Sequence, residues 1–173
     1  MFARNAVLTD AEAIDRLIGA HTDDGTLLPR SFAELCENIR DFIVVEDRGE
    51  LIGCGALHLY GVHLAEVRSI AVLDSYRGKG AGRLLIDALL AEAERHNVKC
   101  VCLFTRIPEF FARMEFRPAE KAQLPDKLYK DCLRCPRLSA CDEVAMVRGE
   151  APNFAILAGD TRAQSLVEIA NWL

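Results

Sequence analysis

Ala13, Ile14, Leu17 and Ile18, and later Leu85, Ile86, Leu89, Leu90 and Ala93, recur with helical spacing. Each set defines one apolar stripe on a helix. Thr9 followed by Glu12 reads as a capping box opening the first helix, and Ser31 followed by Glu34 as a second, opening a helix near 32–39. Elsewhere the apolar residues run together or alternate. Phe42–Glu46, Leu51–Tyr60 and Ala65–Leu73 read as strands, joined by a turn at Asp47–Glu50 and a break at Gly61. Gly53 and Gly55 inside the second of these point to a bulge or close packing. The helix at Arg83–His96 then leads to a strand at Cys100–Phe104 and a short helix at Pro108–Met114. A return strand starts at Phe116, a helical turn covers Gln123–Asp131, and a last strand covers Glu143–Val147. A tail at 149–173 carries a helical stripe from Thr161 to Leu173 that packs on the sheet or builds a homodimer contact.

The order is β-α-α-β-β-β-α-β-α-β-(α)-β, an α+β chain around one mixed, mostly antiparallel sheet. Three strands with short connections make an antiparallel meander, and strand–helix–strand in the middle makes a parallel crossover. The expected boundaries are a core domain at 1–148 and a helical tail at 149–173.

Composition narrows the class. The chain has 173 residues, 51% hydrophobic and 27% charged, with 21 basic against 26 acidic residues and a net charge of −5. That balance argues against nonspecific nucleic-acid binding. No apolar run reaches the ~20 residues of a membrane helix, and Met1–Asn5 lacks a signal-peptide pattern. A cytoplasmic location is expected. Of the seven cysteines, Cys36, Cys54, Cys100 and Cys102 lie in apolar segments and read as buried thiols. Cys132, Cys135 and Cys141 cluster, so a structural metal, a redox-sensitive pair and plain reduced thiols all stay open there. No metal is required by the chemistry that follows, and none is expected.

The most informative stretch is the loop Arg77-Gly78-Lys79-Gly80-Ala81-Gly82 between a strand and the strongest helix. Helix-start N–H groups make an anion site, and glycines let a phosphate approach the backbone. A nucleotide P-loop requires Lys-Ser/Thr after its last glycine, and a dinucleotide fingerprint requires a small residue where Arg83 stands; neither fits.

What the loop does match is Arg/Gln-x-x-Gly-x-Gly/Ala. Together with Glu66–Val72 before it and Pro108–Phe116 after it, it resembles the GNAT family of acetyl-CoA-dependent N-acetyltransferases over roughly residues 2–148. The resemblance implies splayed fourth and fifth strands with acetyl-CoA between them. Backbone at Ile70, Ala71 and Val72 would bind the pantetheine arm, and N–H groups of Arg77, Gly78, Lys79, Gly80, Ala81 and Gly82 the pyrophosphate. The amine would attack the thioester directly. Glu66 would be the general base, with Ile70 N–H polarising the carbonyl. Alternation would put Glu66, Arg68, Ile70 and Val72 on one face. The family's usual acid, a tyrosine near Phe110-Phe111, is absent; Thr105, Tyr129 and water are the alternatives.

Longer strings narrow this further. Leu28–Ser31, Asn38–Phe42, Gly53–His58, Arg68–Val72 and Leu124–Pro136 with Cys141–Met146 are similar to the acetyltransferase domain of the bacterial N-acetylglutamate synthase family in its short form. That likeness implies glutamate as acceptor and a place in amino-acid and arginine biosynthesis. Arg68, Lys130, Arg137 and Ser139 would hold the substrate carboxylates, with Arg30 and Arg40 behind them and Arg106 in a neighbouring segment. Arginine suits the task because its fork binds carboxylates bidentately. The alternatives are a family member acting on another small-molecule or peptide amine, and a non-catalytic, metal- or redox-responsive acetyl-CoA-binding module.

Overall fold

A computed structural model describes residues 1–22, 26–135 and 137–152. The tail helix expected at 161–173 lies outside the described residues. The chain forms two compact units, Met1–Leu103 and Phe104–Leu173.

The first unit contains β1 (Phe2–Asn5), α1 (Ala11–Gly19), α2 (Phe32–Glu37), β2 (Phe42–Asp47), β3 (Glu50–Gly61), β4 (Leu64–Val72) and α3 (Ala81–Arg95). It also contains most of β5 (Cys100–Thr105), which carries the chain into the second unit. The strands lie in the order β1-β2-β3-β4-β5. Every step is antiparallel except β4–β5, which is parallel as the crossover through α3 requires. The β2–β3 turn is tight, with Arg48 and Gly49 both at positive φ.

Two helical layers sandwich this sheet. On one face, Ile14, Leu17 and Ile18 of α1 and Leu35 of α2 bury against Phe42, Val44, Cys54, Ala56 and Ala71. On the other, Leu85 and Leu89 of α3 lie so close to β3 that a Cβ on Gly55 would sit 3.3 and 3.1 Å from their methyls. Gly55 therefore sets the depth at which α3 rests on the sheet. The burial of Cys54 in this core pushes its thiol up to about 12, so it is an inert apolar filler. Cys100 and Cys102 are buried as well, and Cys36 is half-buried against the same core.

The Ser31–Glu34 capping box is present in both directions: Glu34 N–H donates to Ser31 Oγ at 3.2 Å and Ser31 N–H to Glu34 Oε2 at 2.8 Å. The one expected at Thr9–Glu12 is not. A 3-10 turn at Leu8–Asp10 precedes α1, and Asp10 does the work of that junction. Its carboxylate accepts Val7 N–H at 2.8 Å and binds both Nη groups of Arg4 at 2.7 and 2.9 Å. A charged bidentate pair outcompetes the neutral threonine cap. Glu12 is left at the surface, 4.0 Å from Arg16.

The second unit holds α4 (Pro108–Ala112), β6 (Arg117–Pro118), α5 (Pro125–Lys130) and β7 (Val144–Gly149). β6 and β7 pair antiparallel through Arg117↔Val147 and Pro118↔Met146. Phe111 anchors the unit, edge-on to Phe110 and to Phe116. The single helical turn expected at 123–131 is divided. A 3-10 turn covers Lys121–Gln123 and α5 starts at Pro125, because proline takes the first helical position and excludes the residue before it. Gly149, expected to open the tail, ends β7 instead.

Candidate active site

The expected alternation along β4 fails at one residue. Arg68 faces Ala56 and Ala71 faces Cys54, so Ser69 and Ile70 together oppose Gly55. Ser69 takes φ 54 to make this bulge. The bulge turns the strand over. Glu66 and Arg68 share the face of Cys54 and Ala56, whereas Ile70 joins Gly55, Leu85 and Leu89 on the α3 face. Val72 follows Ile70, close against Gly53. The four residues expected on one face thus split two and two.

The splay expected between β4 and β5 is present. Their ladder covers Ala65↔Val101 and Glu66↔Cys102 at the start of β4. From Val67 to Val72, β4 has no β5 partner in that register, and Ile70 also drops out of the β3 register.

Glu66 is buried, with 2% exposure. Its Oε2 accepts a hydrogen bond from Tyr60 Oη at 2.8 Å. The Tyr60 ring meets His58 edge-on at 5.0 Å, and His58 Nδ1 lies 3.5 Å from Asp41 Oδ2. Tyr60 and His58, which lie in the strand and string named from the sequence, carry no role there. Counting outward from the Gly61↔Leu64 pair would set Leu59 opposite Glu66; a register shift at Tyr60 brings His58 there instead, so the short β3–β4 connection alone does not reveal the pair.

Arg30 reaches the bulge from the loop before α2, donating Nε–H to Ser69 Oγ at 2.9 Å. The Ser31 amide and hydroxyl, with the charges of Arg30 and Arg68 behind them, hold the Glu34 carboxyl below the usual carboxylate range. Two guanidiniums therefore gather beside the bulge. Arg40 is exposed on the 3-10 turn before β2.

The glycine loop begins with a 3-10 turn, Asp74–Tyr76, in which Asp74 O accepts Arg77 N–H at 3.1 Å. Lys79 N–H likewise bonds Tyr76 O at 3.2 Å, so these two amides are engaged inside the loop. Helix α3 starts at Ala81, two residues before the expected start, so Ala81 and Gly82 belong to its first turn rather than to the loop. The amides of Ala81, Gly82 and Arg83 are thus the helix-start donors. Gly78 and Gly80 take φ 74 and 89, and a Cβ at either would meet nothing within 4 Å. The loop is anchored from behind, where Tyr76 Oη donates to Asp47 Oδ2 at 3.0 Å and Lys79 Nζ lies over the Tyr76 ring. At the exposed edge, Arg77 pairs with Asp74 and Arg83 with Asp87. An open, glycine-lined helix start without acidic residues in its first turn suits a pyrophosphate.

In the second unit, Arg106 Nε binds Asp142 Oδ1 at 2.7 Å, and Arg137 Nη2 lies 3.8 Å from Oδ2 of the same carboxylate. Arg106 holds the Asp142 carboxyl below its ordinary range. Lys130, Arg137 and Ser139 are exposed. Thr105 is buried, and its hydroxyl accepts Ile107 N–H at 3.0 Å. Tyr129 is half exposed. Cys141 Sγ receives Lys121 Nζ at 3.1 Å, and the described residues contain no group of three or more His, Cys, Asp or Glu arranged to hold a metal.

Residues 11–116 match the Acetyltransferase (GNAT) family. The chain belongs to the GNAT family. Its fold is that of this family of acetyltransferases. The chain is 44% identical over 145 residues to an uncharacterized N-acetyltransferase of Chlorobaculum tepidum, covering 84% of this chain and 94% of the relative. It is 31% identical over 134 residues to the amino-acid acetyltransferase of Mycobacterium tuberculosis, covering 76% of each. The N-acetylglutamate synthase of Neisseria gonorrhoeae, solved with coenzyme A and N-acetyl-glutamate, superposes with a TM-score of 0.76 at 26% identity. That match covers 87% of this GNAT chain and 35% of the longer synthase. Among the described residues of this GNAT protein, no helix is long and apolar enough to cross a membrane.

Proposed function

We propose that this GNAT enzyme transfers the acetyl group of acetyl-CoA to the α-amine of L-glutamate. The observation that carries the reading is the pairing of a buried carboxylate, Glu66, with two guanidiniums, Arg68 and Arg30, around one strand bulge. A dicarboxylate with an amine needs such a combination: fixed cations for its charges and a base for its nitrogen. The relatives named for amino-acid acetylation, and the likeness to a synthase solved with N-acetyl-glutamate, support the same acceptor class.

When bound, acetyl-CoA supplies an activated acyl thioester. The chain's own groups do the rest. Gly78, Gly80 and the amides of Ala81, Gly82 and Arg83 hold the pyrophosphate, with Arg77 and Lys79 lending charge. Backbone at Ile70, Ala71 and Val72, outside the β5 ladder, pairs with the pantetheine amides, since an unpaired buried backbone is costly. Glu66 accepts the proton that the ammonium must lose before attack, directly or through water. The Ile70 amide, displaced from the β3 register, donates to the carbonyl oxygen as it gains charge. Bulk water supplies the proton for the departing thiolate.

The test is CoA release with L-glutamate as acceptor, with the product identified as N-acetylglutamate by mass. Release no faster with glutamate than without an acceptor overturns the reading.

A further inference from the structure

A buried carboxylate needs hydrogen bonds, and the bond it accepts fixes how its two oxygens point. One such bond to Glu66 comes from Tyr60, six residues earlier on the neighbouring strand. The β3–β4 register sets His58 directly opposite Glu66, and Tyr60 stands where that register shifts, between the Leu59↔Ala65 and Gly61↔Leu64 pairs. The side chain of Tyr60 is itself held. His58 stacks edge-on against it at an interplanar angle of 87°, and Asp41 Oδ2 lies 3.5 Å from the His58 Nδ1. Asp41, His58, Tyr60 and Glu66 thus form one line of contacts. It starts on the 3-10 turn before β2 and ends at the buried acid. None of the binding or acyl-transfer roles above uses Tyr60, His58 or Asp41.

We propose that Tyr60 is a positioning residue for Glu66. Its hydroxyl donates to Oε2 and thereby sets how the carboxylate is presented to the amine proton, while His58, steered by Asp41, holds the tyrosine ring. The inference rests on the reading of Glu66 as the general base. Its physical content is that a base must be aimed as well as present. A displacement of about 1 Å can cost on the order of a hundredfold in rate. Tyrosine suits the role because a two-torsion, ring-packed side chain delivers its hydroxyl to one place.

The experiment compares wild type, Tyr60→Phe, Glu66→Gln and the double variant in steady-state kinetics with acetyl-CoA and glutamate. Phenylalanine keeps the ring and its contact with His58 and removes the oxygen alone. We expect kcat to fall by about ten- to a hundredfold in Tyr60→Phe. Both KM values should stay within about twofold, because neither substrate touches the hydroxyl. The thermal shift given by acetyl-CoA should also persist. The double variant should be no slower than Glu66→Gln, since the tyrosine then has no base to aim. Full kcat in Tyr60→Phe, or losses that multiply in the double variant, overturns the proposal and leaves the base reading standing. Full activity in Glu66→Gln overturns both. Where Tyr60→Phe melts near the assay temperature, the comparison of the double variant with Glu66→Gln decides alone, because a neutral amide depends less on the bond.

Discussion

The Nε–H of Arg30 donates to Ser69 Oγ across 39 residues of sequence, at the residue where β4 turns over. The contact joins the loop before α2 to the bulge that separates the face of Glu66 and Arg68 from the face of Ile70 and Val72. In the proposed reaction, substrate charge is read on one side of that bulge and the coenzyme is held along the other stretch of the strand.

Removing either guanidinium should therefore act on the acceptor. Arg68→Ala and Arg30→Ala each leave a carboxylate without a charge-assisted bond, a loss of about 1.5–3 kcal/mol. The KM for glutamate should rise about tenfold or more in each, with the KM for acetyl-CoA unchanged. A selective rise in the acetyl-CoA constant instead would move these residues to the coenzyme.

The loop prediction is independent of the acceptor. Acetyl-CoA should raise the melting temperature of the wild type. Gly80→Asp with Gly82→Asp should abolish the shift, because carboxylates at the helix start repel pyrophosphate and Gly80 has a φ of 89 that side chains rarely adopt. An undiminished shift in the double variant would remove the loop from the site.

Glu66→Gln keeps size and removes proton acceptance. At neutral pH the rate should fall by about 10²–10⁴. The deficit should shrink as pH rises, because more of the amine is then already neutral. A pH-independent loss would mark Glu66 as a structural group.

Much of this fold was written locally. The Ser31–Glu34 box, the tight Arg48-Gly49 turn and the apolar stripe of α3 each depend on residues a few positions apart and stand where the sequence put them; the glycine loop does so only up to Gly80, since α3 takes Ala81 and Gly82 into its first turn. What was illegible depends on distant partners. Nothing in the string Arg68-Ser69-Ile70 announces a left-handed serine, because serine carries no strong preference for that conformation. Asp10 displaces Thr9 at the start of α1 only because Arg4 is folded beside it. Tyr60 becomes visible only once the β3–β4 register is fixed.

That Arg4–Asp10 pair carries a stability prediction. Arg4, and then the Val7 amide, hold the Asp10 carboxyl below the ordinary range. Its stabilisation is present above the unfolded value near ~4 and is lost as pH falls through the lower folded value. Asp10→Asn should cost about 2 kcal/mol at neutral pH, or roughly 4–8 °C in Tm. The gap between variant and wild type should narrow as pH drops below ~4. A gap that stays constant down to pH ~2 would mean that the carboxylate charge is irrelevant to the junction.

The acceptor is the central claim, and the most direct measurement is acetyl-CoA-dependent CoA release across the twenty amino acids at equal concentration. Glutamate should lead, with glutamine slower by about tenfold or more because it lacks the side-chain charge that a fixed guanidinium binds. Wild-type enzyme that acetylates glutamine or lysine as fast as glutamate would contradict the account.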